Sequence, residues 1–183
     1  MRSYFVQVSV CGLVLLGTSS TVAQTEEQSL KWAIDWGASH YPSPDGTRHE
    51  LIFRVDRLGK RNPLSDKDVL KLSGLTNSLE KLSLYGNHEL TVEGYRQLGK
   101  MKHLWGLFLS QNSNVGDAEL GAISKSLPKL TQLDLSETSV TDTAVEHLAS
   151  LKDLEKVNLK KTKISDEAVR RLQKANPDLK VYR

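Results

Sequence analysis

The chain has 183 residues, 38% hydrophobic and 26% charged, the balance of one folded unit rather than a disordered or membrane-embedded segment. A formal charge of +3 is too small to indicate nucleic acid or an anionic membrane as the partner. A single cysteine excludes an internal disulfide and a multi-thiolate metal site.

In chain order, Arg2 precedes an apolar run from Tyr4 to Leu16, and small polar residues then lead to Thr21, Val22 and Ala23. This reads as a secretory leader over 1–23, cleaved after Ala23, which would deliver the chain to the periplasm or the cell exterior. The run is too short to cross about 30 Å of hydrocarbon as a helix. Cys11 lies mid-run after Val10, which argues against a lipid anchor, and cleavage would leave the mature chain without a thiol. Residues 24–49 read as an N-terminal capping helix and linker. Leu30, Ala33 and Ile34 recur at helical spacing. Trp32 and Trp36 are expected to pack over the first repeat, with a ligand cage as the second reading. Tyr41-Pro42-Ser43-Pro44-Asp45-Gly46 then breaks the helix.

Residues 50–183 form the main domain, about five repeats and a closing strand. Segments opening at Leu79, Leu104, Leu130, Leu154 and Leu179 recur at intervals of 25, 26, 24 and 25 residues, a period that signals stacked supersecondary units. Each full unit places apolar residues at its first, fourth and sixth positions, as in Leu130, Leu133 and Leu135, the alternation of a strand buried on one face. Asn87, Asn112, Thr138 and Thr162 follow three residues later, where each is expected to turn inward and bond loop backbone. A helical stripe comes next, as in Val145, Leu148 and Ala149. An earlier, degenerate unit aligns with Phe53 and Val55 as its strand and Leu64, Val69, Leu72 and Leu75 behind it. Ser65, Thr91, Thr141 and Ser165 are expected to cap their helices, with Asp66, Asp142 and Asp166 favoured by the helix dipoles rather than serving as catalytic carboxylates. Asn176-Pro177 ends the last helix, and the closing strand places either Tyr182 or Val181 at the position of Leu133.

These segments resemble the leucine-rich-repeat family over about Glu50 to the C-terminus. Val140–Leu148 (VTDTAVEHL) and Ile164–Leu172 (ISDEAVRRL) resemble its helix-containing, ribonuclease-inhibitor-like subgroup, common among exported bacterial proteins. The resemblance implies an α/β fold, a right-handed leucine-rich-repeat solenoid with parallel strands on the concave face and short helices on the convex face. It also implies a binding module rather than an enzyme. Strands stack about 4.8 Å apart and helices about 8–10 Å, so the strands must line the inside.

No nucleotide-binding glycine loop or nucleophile elbow occurs, and the five histidines lie at no short ligand spacing. No catalytic residue, metal or cofactor is assigned, and the histidines read as single surface or loop residues. From Lys152 onward ten basic residues face five acidic ones, read as a solubilising face. Strand alternation puts Arg54, Tyr85, Phe108, Ser110, Gln132, Asp134, Asn158 and Lys160 on the concave face as partner-binding candidates. Tyr85 and Phe108 are expected to form an adjacent aromatic pair flanked by Arg54 and Asp134, unless Phe108 tucks under a loop while Trp105 fills the strand entrance. The expected partner is a protein or peptide. A glycan or cell-wall polymer is the alternative, and an exported hydrolase ranks third.

Overall fold

The computed structural model describes residues 24–55 and 63–183, so the expected leader over 1–23 and the loop positions 56–62 lie outside the described residues. Every repeat opens with a strand whose inward side chains are apolar. β1 is Ser39–Pro42, β2 His49–Arg54, β3 Leu79–Tyr85, β4 Gly106–Phe108, β5 Gln132–Asp134, β6 Lys156–Asn158 and β7 Lys180–Tyr182. They form one sheet in sequence order; β1 runs antiparallel to β2, and every later pair is parallel. Parallel neighbours require a crossover, and α2 (Asp66–Val69, continued by a three-ten turn Leu70–Leu75), α3 (Val92–Leu98), α4 (Asp117–Ser126), α5 (Ala144–Ser150) and α6 (Asp166–Ala175) supply the crossovers. The chain is an α/β leucine-rich-repeat solenoid whose sheet is not closed. Its core is the layer between strands and helices, where Leu82, Leu107, Leu133 and Val157 form one inward row, each no more than 2% exposed.

The degenerate first unit is shifted by two residues from the expected alignment. Leu51 pairs with Leu82 and Phe53 with Leu84, so Leu51 and Phe53 are the buried strand positions and Val55 lies just past the strand. At the far end Val157 pairs with Val181 and Asn158 with Tyr182. Val181 therefore takes the inward position and Tyr182 faces out, because the last unit has one residue fewer between Leu179 and its strand.

The capping helix α1 spans Glu26–Trp36, opened by a Thr25–Gln28 capping box and closed by Gly37 at φ 100°, a left-handed turn suited to glycine. Ser29 and Ala33 are buried, while Ile34 is 50% exposed, so the buried stripe sits to one side of the expected one. Trp32 packs on Phe53 with ring centroids 6.1 Å apart and on Trp36 at 5.3 Å, which makes the tryptophans packing residues over the first repeat. Gly74, in the three-ten turn, lets α1 approach; its amide donates to Ser29 Oγ at 3.0 Å, and a Cβ there would collide with the Thr25 carbonyl.

The linker after α1 contains β1, unexpected from the sequence, and ties the cap down through two histidines. His40 Nε2 lies 3.0 Å from His49 Nδ1, and His49 Nε2 lies 2.7 Å from Glu26 Oε1. His49 is only 5% exposed. These two are thus not isolated surface histidines: pairing of β1 with β2 brings together residues nine positions apart. The His49 hydrogen bond holds the Glu26 carboxyl below its ordinary range. Partial burial, with His49 beside it, lowers the His40 imidazole.

Ser65 donates its hydroxyl to Asp68 of its own helix, whereas the hydroxyls of Thr91, Thr141 and Ser165 link neighbouring repeats. Asp66 Oδ1 and Oδ2 accept from the amide and hydroxyl of Thr91 at 2.9 and 2.6 Å. Asp117 does the same for Thr141 at 2.9 and 2.6 Å, and Asp142 for Ser165 at 2.6 and 2.8 Å. Asp166 pairs with Arg183. Thr141 is the receiving end of this inter-repeat staple, its Oγ1 also accepts from the Thr143 amide at 3.4 Å, and α5 begins two residues past the expected cap, after Thr143. At the corresponding place between α3 and α4 Val92 stands instead of aspartate, and the Gly116 amide is satisfied by its own Glu119 at 3.0 Å.

Among the inward polar residues, Asn112 Nδ2 donates to Leu84 and Leu109 carbonyls at 2.7 and 2.8 Å. Thr138 and Thr162 donate to Leu135 and Leu159 carbonyls at 2.5 and 2.8 Å. Asn87 departs from the pattern: it is 1% exposed, yet neither side-chain polar atom has a partner among the described residues.

Candidate functional site

Because strands pack more closely than helices, the sheet is the inner wall of the arc, and its outward positions form three rows fixed by register. The middle row runs Ile52, Ser83, Phe108, Asp134, Asn158, Tyr182. Beside it runs Glu50, Lys81, Gly106, Gln132, Lys156, Lys180. The third row begins with Arg54 beside Tyr85 and continues through the strand ends at Ser110, Ser136 and Lys160. Phe108 thus lies beside Ser83, and Tyr85 is one row away. The expected side-by-side aromatic pair does not form, because the two rings occupy different positions in their repeats.

The two halves of the face differ in how far they satisfy themselves. At the N-terminal end the Arg54 guanidinium lies over the Tyr85 ring, 5.2 Å from its centroid. Lys81 Nζ is 3.2 Å from Glu50 Oε2 and 4.8 Å from the Trp105 centroid, so Trp105 sits beneath a lysine at the strand entrance. Arg54 and Tyr85, two of the candidates, are thereby engaged with each other. Phe108 is half-buried against its own strand and not under a loop: a Cβ on Gly106 would lie 3.2 Å from its Cε2 and 3.1 Å from Lys81 Cγ. Glycine is needed there so that the phenylalanine ring and the lysine stem can lie flat on the sheet.

Toward the C-terminal end the face opens into a depression of about 290 Å³ lined by Phe108, Gln132, Leu133, Asp134, Lys156, Asn158, Lys160 and Tyr182. Five of the eight sequence candidates meet here: Phe108, Gln132, Asp134, Asn158 and Lys160. Ser110 is not among its lining residues; its hydroxyl lies 3.0 Å from that of Ser136. Phe108 and Tyr182 wall the depression in one row three strand spacings apart, about 14 Å, with Asp134 and Asn158 between them. Asp134 Oδ1 accepts from the amide and hydroxyl of Ser136 at 2.8 and 2.7 Å, and Asn158 Oδ1 accepts from the Lys160 amide at 3.2 Å. These local bonds fix both side chains against the sheet, while Asp134 Oδ2 and Asn158 Nδ2 make no hydrogen bond within the described residues.

Lys156 and Tyr182 were not among the candidates. Lys156 follows from strand alternation alone, but Tyr182 was hidden by the shortened last unit. A larger concavity of about 580 Å³ runs along α1 past Leu30 and Ile34 to His49 at the start of β2, and it gathers none of the candidates. No three His, Cys, Asp or Glu side chains converge as a metal site among the described residues, and no helix of those residues is long and apolar enough to cross a membrane.

No family model and no curated protein sequence matches the chain. Solved structures similar to it include a leucine-rich-repeat protein of Leptospira interrogans, 25% identical over 66% of this chain and 28% of that one, with a TM-score of 0.46. TLR13, solved in complex with ssRNA13, is 25% identical over 66% of this chain and 17% of its own, with a TM-score of 0.43. An internalin from Listeria monocytogenes is 17% identical over 67% of this chain and 45% of its own, with a TM-score of 0.40. The chain spans less than half the length of each of these proteins. All three TM-scores fall below 0.5, so the description of the fold rests on the chain's own ladder and repeats.

Proposed function

We propose that this chain is a non-catalytic binding module which grips a protein or peptide on the concave face of its sheet, and that it does so after export through its leader. The observation that carries this reading is the depression between Phe108 and Tyr182. It is an apolar-walled, polar-floored hollow on a rigid sheet, the kind of site where aromatic anchors concentrate binding energy. Stacked repeats hold the hollow in shape before the partner arrives, so little conformational entropy is lost on association.

The test is site-specific photo-crosslinking of the full chain. A benzophenone amino acid at Asn158 should give discrete adducts that disappear in a Phe108→Ala/Tyr182→Ser background. The same probe at Glu146, on the helix side, should give none. Adducts from position 146 alone, or adducts from 158 that survive loss of both aromatic rings, would refute the assignment of this face.

A second reading is a glycan or cell-wall polymer, favoured by Asp134 and Asn158, with Gln132 in the adjoining row, beside two aromatic rings, a set that can pair with sugar hydroxyls. A glycan array separates it from the first reading.

A further inference from the structure

Three of the ten cations from Lys152 onward are ion-paired among the described residues, and the rest, exposed Arg171 and Lys174 of α6 included, are not. On the helix side Arg170 Nη2 is 2.9 Å from Glu167, and Arg183 pairs with Asp166. At the strand end Lys161 is 3.1 Å from Glu137, and at the other end of the sheet Lys81 is tied to Glu50. Lys156 and Lys160, which line the depression on either side of Asn158, make no ion pair within the described residues, and Lys180 continues the row beside Lys156. A sheet that neutralises its charges at one end and leaves ammonium groups open around an apolar-walled hollow at the other is complementary to anionic groups flanking an apolar one.

Resting on the proposed binding face, we infer that its occupant is an extended acidic peptide segment, crossing the strands with an apolar side chain between Phe108 and Tyr182. Its carboxylates lie against Lys156 and Lys160. Asp134 favours peptide over phosphate polymer, because its Oδ2 can accept a peptide N–H, a donor that a phosphate backbone lacks. Asn158 Nδ2 supplies the complementary donor for a peptide carbonyl.

The probe is a displayed library of random dodecapeptides selected on the full chain, followed by titration of selected peptides. The expected result is enrichment of Glu and Asp around an apolar residue. Affinity should fall at least tenfold in Lys156→Gln/Lys160→Gln, and also when salt rises from 50 to 300 mM. The matched helix-side change Lys125→Gln/Lys174→Gln should leave it unaltered. Circular dichroism of each variant confirms that it folds. Selection of peptides without acidic bias, still lost in Phe108→Ala/Tyr182→Ser, overturns the acidic-peptide inference and leaves the binding face standing. Binding of oligouridylate or an arrayed glycan at the same residues, with no peptide selected, also overturns it. Failure of every ligand class together with absent cross-links removes the binding face as well.

Discussion

Asp142 shows how a residue legible in sequence takes on a role that only the stack reveals. Its carboxyl is held below the usual range by the Ser165 amide and hydroxyl, donors from the following repeat. A carboxyl whose folded pKa is depressed stabilises the fold above its unfolded pKa, and that contribution is lost as pH falls through the folded value. The same sign applies to Glu26, and to His40, whose lowered imidazole value makes the folded state resist protonation. Acidification from pH 7 through the imidazole range near about 6.5 and then the carboxylate range should therefore release α1 before the repeats melt. Fluorescence of Trp32 and Trp36 should report this ahead of the far-ultraviolet signal, and the lead should shrink in His40→Gln. At Asp117, replacement by Ala should cost about 1–2 kcal/mol in urea unfolding, since two hydrogen bonds to a charged acceptor are lost at a partly exposed site.

At the scale of the element, the strand-and-stripe rhythm could be read directly, because Leu82, Leu107, Leu133 and Val157 obey one period. Leu133→Ala should destabilise the domain by about 2–5 kcal/mol, as its side chain is 2% exposed in the central layer, with denaturant midpoint as the measure. The bend after β3, β4, β5 and β6 was not legible. Gly86, Gln111, Glu137 and Lys161 adopt φ of 67°, 62°, 57° and 56°, but only the first is glycine, so composition gave no sign of a left-handed turn. Side chains accompany the strain: Gln111 Nε2 and Lys161 Nζ both reach Glu137, at 3.4 and 3.1 Å. β1 was hidden because Pro42 and polar neighbours mimic a linker, and proline suits the short outer strand it occupies. Likewise alternation gives the outward position of each binding candidate on its own strand, yet which of them meet depends on register and on pairs such as Arg54 with Tyr85, which no alternation encodes.

For the molecule as a whole, the first repeat's core is covered by α1, which rests on the three-ten turn through Gly74. Gly74→Ala should lift that cover and leave the later repeats in place. Amide exchange should speed up across β2 and α2 and stay slow from β4 onward, as expected of units that contact only their neighbours. Uniform acceleration across all strands would instead mean that the stack opens as a single block.

The aspartate staple also sets a rule for growth. Asp66, Asp117 and Asp142 each reach forward to a hydroxyl-bearing residue one unit on, so a tandem copy of residues 130–153 would carry both a new Asp142 and a new Thr141 to receive it. Such a duplication is self-consistent at its two junctions, and the lengthened protein should unfold with a steeper denaturant dependence. Lineages could thus widen this surface one strand at a time by unequal crossing-over, without having to invent a new joint.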